Sequence, residues 1–250
     1  VAKTLAGTQL TEAHRIAQLN ITREALRDTL AVWPLLDPRE LDATFPRYAE
    51  VMTTLLASHK QRSAFLAAEY IRAFRRAEGL TSDVDVKILD DLARRQALTT
   101  LLVTGPITTK VATRDGLPPE EAAQKALEAT LGEVTRIVLQ GGRDTIIETV
   151  REDREAIGWA RITDADPCAF CAMLASRGAV YKEDTVGFEA HRNCGCSVEP
   201  VYDPDHLLPE QSKKWEQLWK DSTEGHKGQD AINAFRRAVY AQRKSAQSAE

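Results

Sequence analysis

The sequence predicts a mainly α protein in which a small α+β module separates a helical amino-terminal region from a helical carboxy-terminal tail. Two observations carry this. Apolar residues recur at helical spacing over long stretches on both sides of residues 159–203, and all four cysteines fall between positions 168 and 196. The expected division is 1–158, 159–203 and 204–250.

The elements follow in order. Ala13, Ile16, Ala17, Leu19, Leu26 and Leu30 trace a helix from Thr11 to Val32 that stops where Trp33 meets Pro34. A link rich in proline and aspartate leads to a long helix over Arg47 to Glu78, with Val51, Leu55, Phe65, Leu66 and Tyr70 on one broad stripe and Gly79 as its stop. Asp83 to Leu102 reads as a further helix ended by Gly105-Pro106, while the threonine-rich stretch Thr99 to Thr113 fits either a loop or a short strand. Pro118-Pro119-Glu120-Glu121 is a helix start, with proline in the first turn and carboxylates at the positive end of the dipole. That helix is expected to run to Gly141-Gly142, and Asp144 to cap another one reaching Trp159. Ser176-Arg177-Gly178 reads as the end of a short helix beginning at the first cysteine pair, and helical patterns return from Glu210 to about Gln242. Trp215 and Trp219, one turn apart, form either a core stripe or a docking edge. Residues Lys244 to Glu250 are polar and expected to fray.

At 250 residues the chain can bury a core without covalent staples, and its 43% apolar and 28% charged composition is that of a soluble globular protein. No stretch approaches the ~20 apolar residues that span a bilayer. Residues Val1 to Gln9 lack the basic and apolar regions of a secretory signal, so a reducing cytosol is the expected folding compartment, and the thiols need another explanation than disulfides. A net charge of -4 argues against a protein whose main work is coating nucleic acid. Arg72, Arg75 and Arg76 form a local basic run, but Glu69 and Glu78 flank it, and a solvated helix face is the expectation there.

The cysteines carry the chemistry. Cys168-Ala-Phe-Cys171 has the two-residue spacing that lets both thiolates reach one ion from the same side, and His191-Arg-Asn-Cys194-Gly-Cys196 supplies a second group some twenty residues later. That layout is that of a structural zinc site, with five candidates, Cys168, Cys171, His191, Cys194 and Cys196, for an ion that takes four. A four-cysteine set and a set of Cys168, Cys171, His191 and one further cysteine are both chemically sound, with the histidine set slightly favoured. Glu189 and Glu199 are candidates to hold the other nitrogen of the His191 ring. Competing readings are a redox dithiol at Cys168/Cys171, two disulfides, and a catalytic zinc, which would need a position left open for water. His14 and His59 read as ordinary helix residues, and His206 as a surface residue or an occasional metal neighbour. Ser58, Ser63 and Ser176 are available as nucleophiles, but nothing in their surroundings singles one out, and no phosphate-cradling glycine loop or nucleophile elbow is present. No catalytic residue is assigned.

The stretch from Asp166-Pro-Cys168 to Tyr181, continued by His191-Arg-Asn-Cys194-Gly-Cys196-Ser-Val-Glu-Pro200-Val-Tyr202, resembles the carboxy-terminal signature of MuF-like phage head morphogenesis proteins, especially those of actinobacterial tailed phages. The run Leu19 to Asp42, with Trp33-Pro34-Leu35-Leu36-Asp37-Pro38, is similar to the same proteins. Arg192 and Gly195 stand where broader members of that family have proline and arginine, which leaves the ligand pattern intact but weakens any contact expected of the missing arginine. The resemblance implies a structural minor capsid protein acting at or near the portal, with portal, major capsid or scaffold proteins as partners and contact with packaged DNA left open. It implies residence in the host cytoplasm during assembly and then in the virion head, with no membrane stage. The alternative function is a capsid maturation protease cutting scaffold or capsid protein.

Overall fold

The computed structural model describes residues 1–164, 166–179 and 187–247. The chain is mainly α, as the sequence predicts. Helices α1 (Leu5–Val32), α2 (Leu41–Ala77) and α5 (Pro119–Glu152) form the main bundle. Between α2 and α5 lie the short helices α3 (Arg94–Leu102) and α4 (Thr108–Arg114). Strands β1 (Gly158–Ile162) and β2 (Ser197–Val201) form a two-stranded antiparallel ladder that pairs Gly158 with Val201 and Ile162 with Ser197. Between them sits α6 (Ala169–Ala175), and α7 (Glu210–Thr223) and α8 (Gly228–Gln247) close the described chain.

The bundle begins at Thr4, whose hydroxyl caps α1 by accepting from the Gly7 amide at 2.9 Å. At the far end, Val32 gives way to a 3-10 turn at Trp33–Leu35, where Pro34 forbids continuation. Helix α2 starts six residues before the expected Arg47 and takes in Pro46, whose missing amide costs the helix one bond, to the Asp42 carbonyl, in its second turn. One core layer joins Ile21 and Ala25 of α1, Tyr48, Met52 and Leu56 of α2, and Val134, Ile137 and Val138 of α5.

Three expectations are corrected, each for a physical reason. Residues 83–93 are extended rather than helical: Val84 and Val86 alternate with Asp83, Asp85 and Lys87, and the two valines pack on the core. The extended strap is hung on α5 through side chains, the Lys87 and Leu89 amides donating to the hydroxyls of Thr149 and Thr145 at 3.1 and 3.0 Å. Gly105-Pro106 does not end a helix. A π turn over Val103–Ile107 absorbs the missing proline amide, and the threonines around it bond back to the main chain, Thr104 to Thr100, Thr108 to Val103 and Thr109 to Gly105.

The third correction concerns Gly141-Gly142, which is not a double stop. Helix α5 runs straight through it, and Trp159 lies on β1 instead of at a helix end. The two glycines are there for space: a Cβ at position 141 would run into the Lys60 carbonyl of α2, and one at 142 would meet Ser63 Oγ at 3.0 Å. Through the gap the Gly142 amide donates to Ser63 Oγ at 3.0 Å, and Ser63 in turn donates to Gln18 of α1 at 2.7 Å.

At the other end of the chain, Trp215 is buried with Met173, Phe235 and Val239, and Trp219 stacks obliquely on Phe235 at 5.2 Å, so the tryptophan pair is a core stripe tying α6, α7 and α8 together. The tail is two helices, with Gly225 at positive φ in the turn between them and Gly228, also at positive φ, opening the second. Lys244 still lies in α8, and residues 248–250 fall outside the described chain. Arg75 departs from the solvated face expected of its run: it is buried, paired with Asp153 and with Glu155 at 2.7 Å, and lies over the Tyr202 ring. Among the described residues no helix is long and apolar enough to cross a membrane.

Two outcomes follow from this packing. In Gly141→Ala the gain in helix propensity of about 1 kcal/mol is outweighed by the clash with the Lys60 backbone, giving a net loss of about 1–3 kcal/mol in urea unfolding. His14 is buried and stacked on Tyr70 at 4.3 Å, and desolvation pushes its pKa down from 6.5 to about 3. Unfolding therefore takes up a proton between those values: the stability contributed by neutral His14 is complete above pH 6.5 and is lost as the pH falls towards 3. His14→Gln is expected to flatten that acid-side slope by up to about 1.4 kcal/mol per pH unit, measured by urea midpoints at a series of pH values.

Candidate metal centre

Cys168 is the N-cap of α6, and its sulfur accepts from the Cys171 amide at 3.4 Å, so the helix start itself sets the relative placement of the two thiols. The pair thus lies at a helix start after a strand, the setting in which redox dithiols occur. Unlike an isolated dithiol, it faces further donors. Cys168 Sγ is 2.9 Å from His191 Nε2, and Cys171 Sγ lies 3.5 Å from the same nitrogen and 3.6 Å from Cys194 Sγ. All four cysteines are free.

The five residues singled out by the sequence converge as two groups that share one sulfur: Cys168, Cys171 and His191, and Cys171, Cys194 and Cys196. Cys171, Cys194 and Cys196 are buried, Cys168 is half-buried and His191 is exposed. The 3.5 and 3.6 Å separations are close to the edges, about 3.5–3.8 Å, of a tetrahedral zinc site built on metal–sulfur bonds of about 2.3 Å. Donor chemistry and spacing therefore fit a soft or borderline divalent ion, and the cluster could hold one.

Helix α5 holds the second group in place. The Asn193 amide donates to the Gly132 carbonyl at 3.2 Å with Asn193 at φ 61°, and a Cβ at Gly132 would press on Arg192 and Asn193. Arg192 pairs with Glu133 at 2.9 Å. Three turns further along, Arg143 donates from Nε to the Cys196 carbonyl at 3.0 Å and from Nη2 to the carbonyls of Cys194 and Cys196 at 2.6 and 2.8 Å. A Cβ at Gly195, between the two cysteines, would meet Asp164 Oδ2 at 2.9 Å, so a larger residue there would have to displace that carboxylate. Neither Glu189 nor Glu199 orients the His191 ring. Its Nδ1 lies 2.6 Å from the Arg192 carbonyl, which leaves Nε2 facing the sulfurs, while the Glu199 carboxylate accepts from the Ala2 amide at 2.7 Å.

Without a metal the thiols share protons unequally. A hydrogen bond from Cys171 holds Cys168 down at about 5, and bonds from Cys171 and Cys196 hold Cys194 below the usual thiol range. Cys171, bonded to Cys168, Cys194 and Cys196, is pushed up. A bond to Cys171 lowers Cys196, but its bond to Cys194 and its burial prevail and raise it to about 12. Burial lowers the His191 pKa, but the Arg192 carbonyl and the Cys168 thiolate outweigh it and raise it.

The remaining candidates lie elsewhere. Ser63 is buried and fully engaged with Gln18 and Gly142, Ser58 is exposed, and Ser176 donates to the Met173 carbonyl at a helix end. His59 pairs with Asp28 at 2.9 Å between α1 and α2, and His206 lies 3.5 Å from Asp203. Arg143, Arg161 and Phe188 are the parts of the site that sequence reasoning missed. The available signals were an arginine directly after a glycine pair and another inside the otherwise apolar strand Gly158–Ile162.

The family model described as VG15 protein matches residues 6–222. The chain is also similar to the "Gene 15 protein" of Mycobacterium phage D29, 27% identical over a 176-residue alignment that covers 51% of this chain and 64% of that protein. The chain thus spans less than two thirds of that relative's length. No solved structure matches.

Cys171 belongs to both donor groups, so Cys171→Ser is expected to weaken cobalt or zinc binding more than any other single ligand change, by more than about 100-fold. Titration with cobalt, followed by thiolate-to-metal absorption, checks this. Comparing His191→Ala, Cys194→Ser and Cys196→Ser in the same assay identifies which donors complete the site.

Proposed function

The chain belongs to the VG15 protein family, and we propose that it is a structural minor capsid protein acting in phage head assembly at or near the portal. One observation carries the reading. The two separated segments whose residues resemble the MuF-like signature come together as two groups of sulfur and imidazole donors that share the Cys171 sulfur. The similarity to a mycobacteriophage protein supports the phage setting.

In this reading the ion is zinc, bound by four of Cys168, Cys171, His191, Cys194 and Cys196, and its work is folding rather than catalysis. Metal ligation ties the α6 start to the segment before β2 and so fixes the module on α5. The partners are the portal protein and the major capsid or scaffold protein, with packaged DNA as a further neighbour. The protein acts in the host cytoplasm during assembly and remains in the virion head.

Incubation with the cognate portal, scaffold and capsid proteins tests the assignment. Stable incorporation into portal-bearing particles is expected, with incorporation lost on chelation and the intact masses of scaffold and capsid protein unchanged. Defined cleavage of either, abolished by serine-directed or chelating inhibitors, would replace the structural role with a maturation protease.

A further inference from the structure

Two arginines are buried beside the cysteine cluster, Arg143 at 3% and Arg161 at 2% exposure. Among the described residues neither has a carboxylate within ion-pair distance. Arg143 donates from Nε and Nη2 to the carbonyls of Cys194 and Cys196, and Arg161 reaches Cys171 Sγ at 3.6 Å and the Glu189 carbonyl at 2.9 Å. Both guanidinium groups lie over the Phe188 ring, 4.6 and 3.6 Å from its centroid, so two like charges share one buried aromatic side chain. Arg75 makes the contrast. Equally buried, it is neutralised by Asp153 and Glu155.

Burying a guanidinium without a counter-ion is costly, and two that repel each other cost more. Without a metal, any negative charge here rests on the two thiols held low, Cys168 and Cys194. A divalent ion held by three or four cysteinates carries a net charge of about minus one or minus two. The negative charge that no carboxylate supplies to these cations among the described residues is therefore the one a metal–thiolate centre would fix, on the sulfur that Arg161 touches and on the sulfurs of the segment that Arg143 holds.

We propose that Arg143 and Arg161 are the counter-cations of a metal–thiolate centre, so that their charges raise the metal affinity of the cluster and the bound metal in turn stabilises their burial. This rests on the metal reading above and extends it to two residues outside the donor set. Arg161 acts on the shared sulfur of Cys171, whereas Arg143 acts through the main chain of the second donor segment.

The test uses the full chain and zinc in competition with a chromophoric chelator, for the wild type and for Arg143→Met, Arg161→Met, Arg143→Lys and Arg161→Lys. Circular dichroism of each loaded protein verifies folding. Each methionine variant is expected to bind zinc roughly 10–100-fold more weakly, and each lysine variant to recover most of that loss because it keeps the charge. Chelation is also expected to lower the melting temperature of the wild type by more than that of a folded methionine variant. Folded methionine variants with affinity within about twofold of wild type, or lysine variants as weak as methionine ones, would overturn the proposal, since an outer-shell partner that matters costs tenfold or more. If a methionine variant does not fold, the lysine variant decides: affinity within about threefold of wild type supports the charge role, and a tenfold loss refutes it. Wild-type protein that binds no zinc would instead refute the metal reading itself, before any arginine is changed.

Discussion

The contact of Arg143 with the carbonyls of Cys194 and Cys196 is the joint on which the rest of the arrangement depends. It fastens an irregular segment, with no ladder of its own until β2 begins at Ser197, to the helix that packs against both α1 and α2. A cluster of thiols needs such support. Sulfur donors on a loop are poorly placed unless the main chain carrying them is fixed by something rigid, and metal ligation is sensitive to misplacements well below the length of a hydrogen bond.

Helix α5 performs two tasks with different faces. One face packs against α1 and α2 through Val134, Val138 and the close approach at Gly141 and Gly142, and the other receives the donor segment at Gly132, Glu133 and Arg143. The core follows the same logic. Phe74, Ile146 and Val150 of the bundle share one apolar cluster with Trp159, Phe188 and the buried cysteines. The small sheet and the cysteine cluster therefore rest on the bundle's own core rather than on a separate one, which explains how a two-stranded ladder persists where an isolated one is marginal.

Much of this was legible in the sequence. The helical stripes of α1, α2 and α5, the stop at Trp33-Pro34, the proline start at Pro119 and the short helix after Cys168 all follow from local rules, and the cysteine spacing pointed to a set of donors that the fold gathers as two groups sharing Cys171. What misled was local punctuation whose meaning is tertiary. Gly141-Gly142 reads as a stop because the neighbour that needs the space, the Lys60 main chain, lies eighty residues away in sequence. Gly105-Pro106 reads as a break because a π turn repaired by threonine hydroxyls leaves no local trace. The strap at 83–93 was the reverse case, its period-two alternation of valine with charged residues being present but short. Arg143 and Arg161 were invisible as site residues because nothing in the sequence says that an arginine is buried, nor which carbonyl it will meet.

The attachment points on α5 set a rule about chain length. Gly132 and Arg143 are eleven residues apart, which at about 100° per residue is close to three full turns and puts both on one side of the cylinder. A side chain exchanged between them alters only its own surroundings. An added or deleted residue instead swings one anchor about 100° around the axis relative to the other, so that the donor segment can keep its hold at the asparagine end or at the arginine end, but not at both. The stretch between these anchors should therefore tolerate drift in identity while resisting change in number.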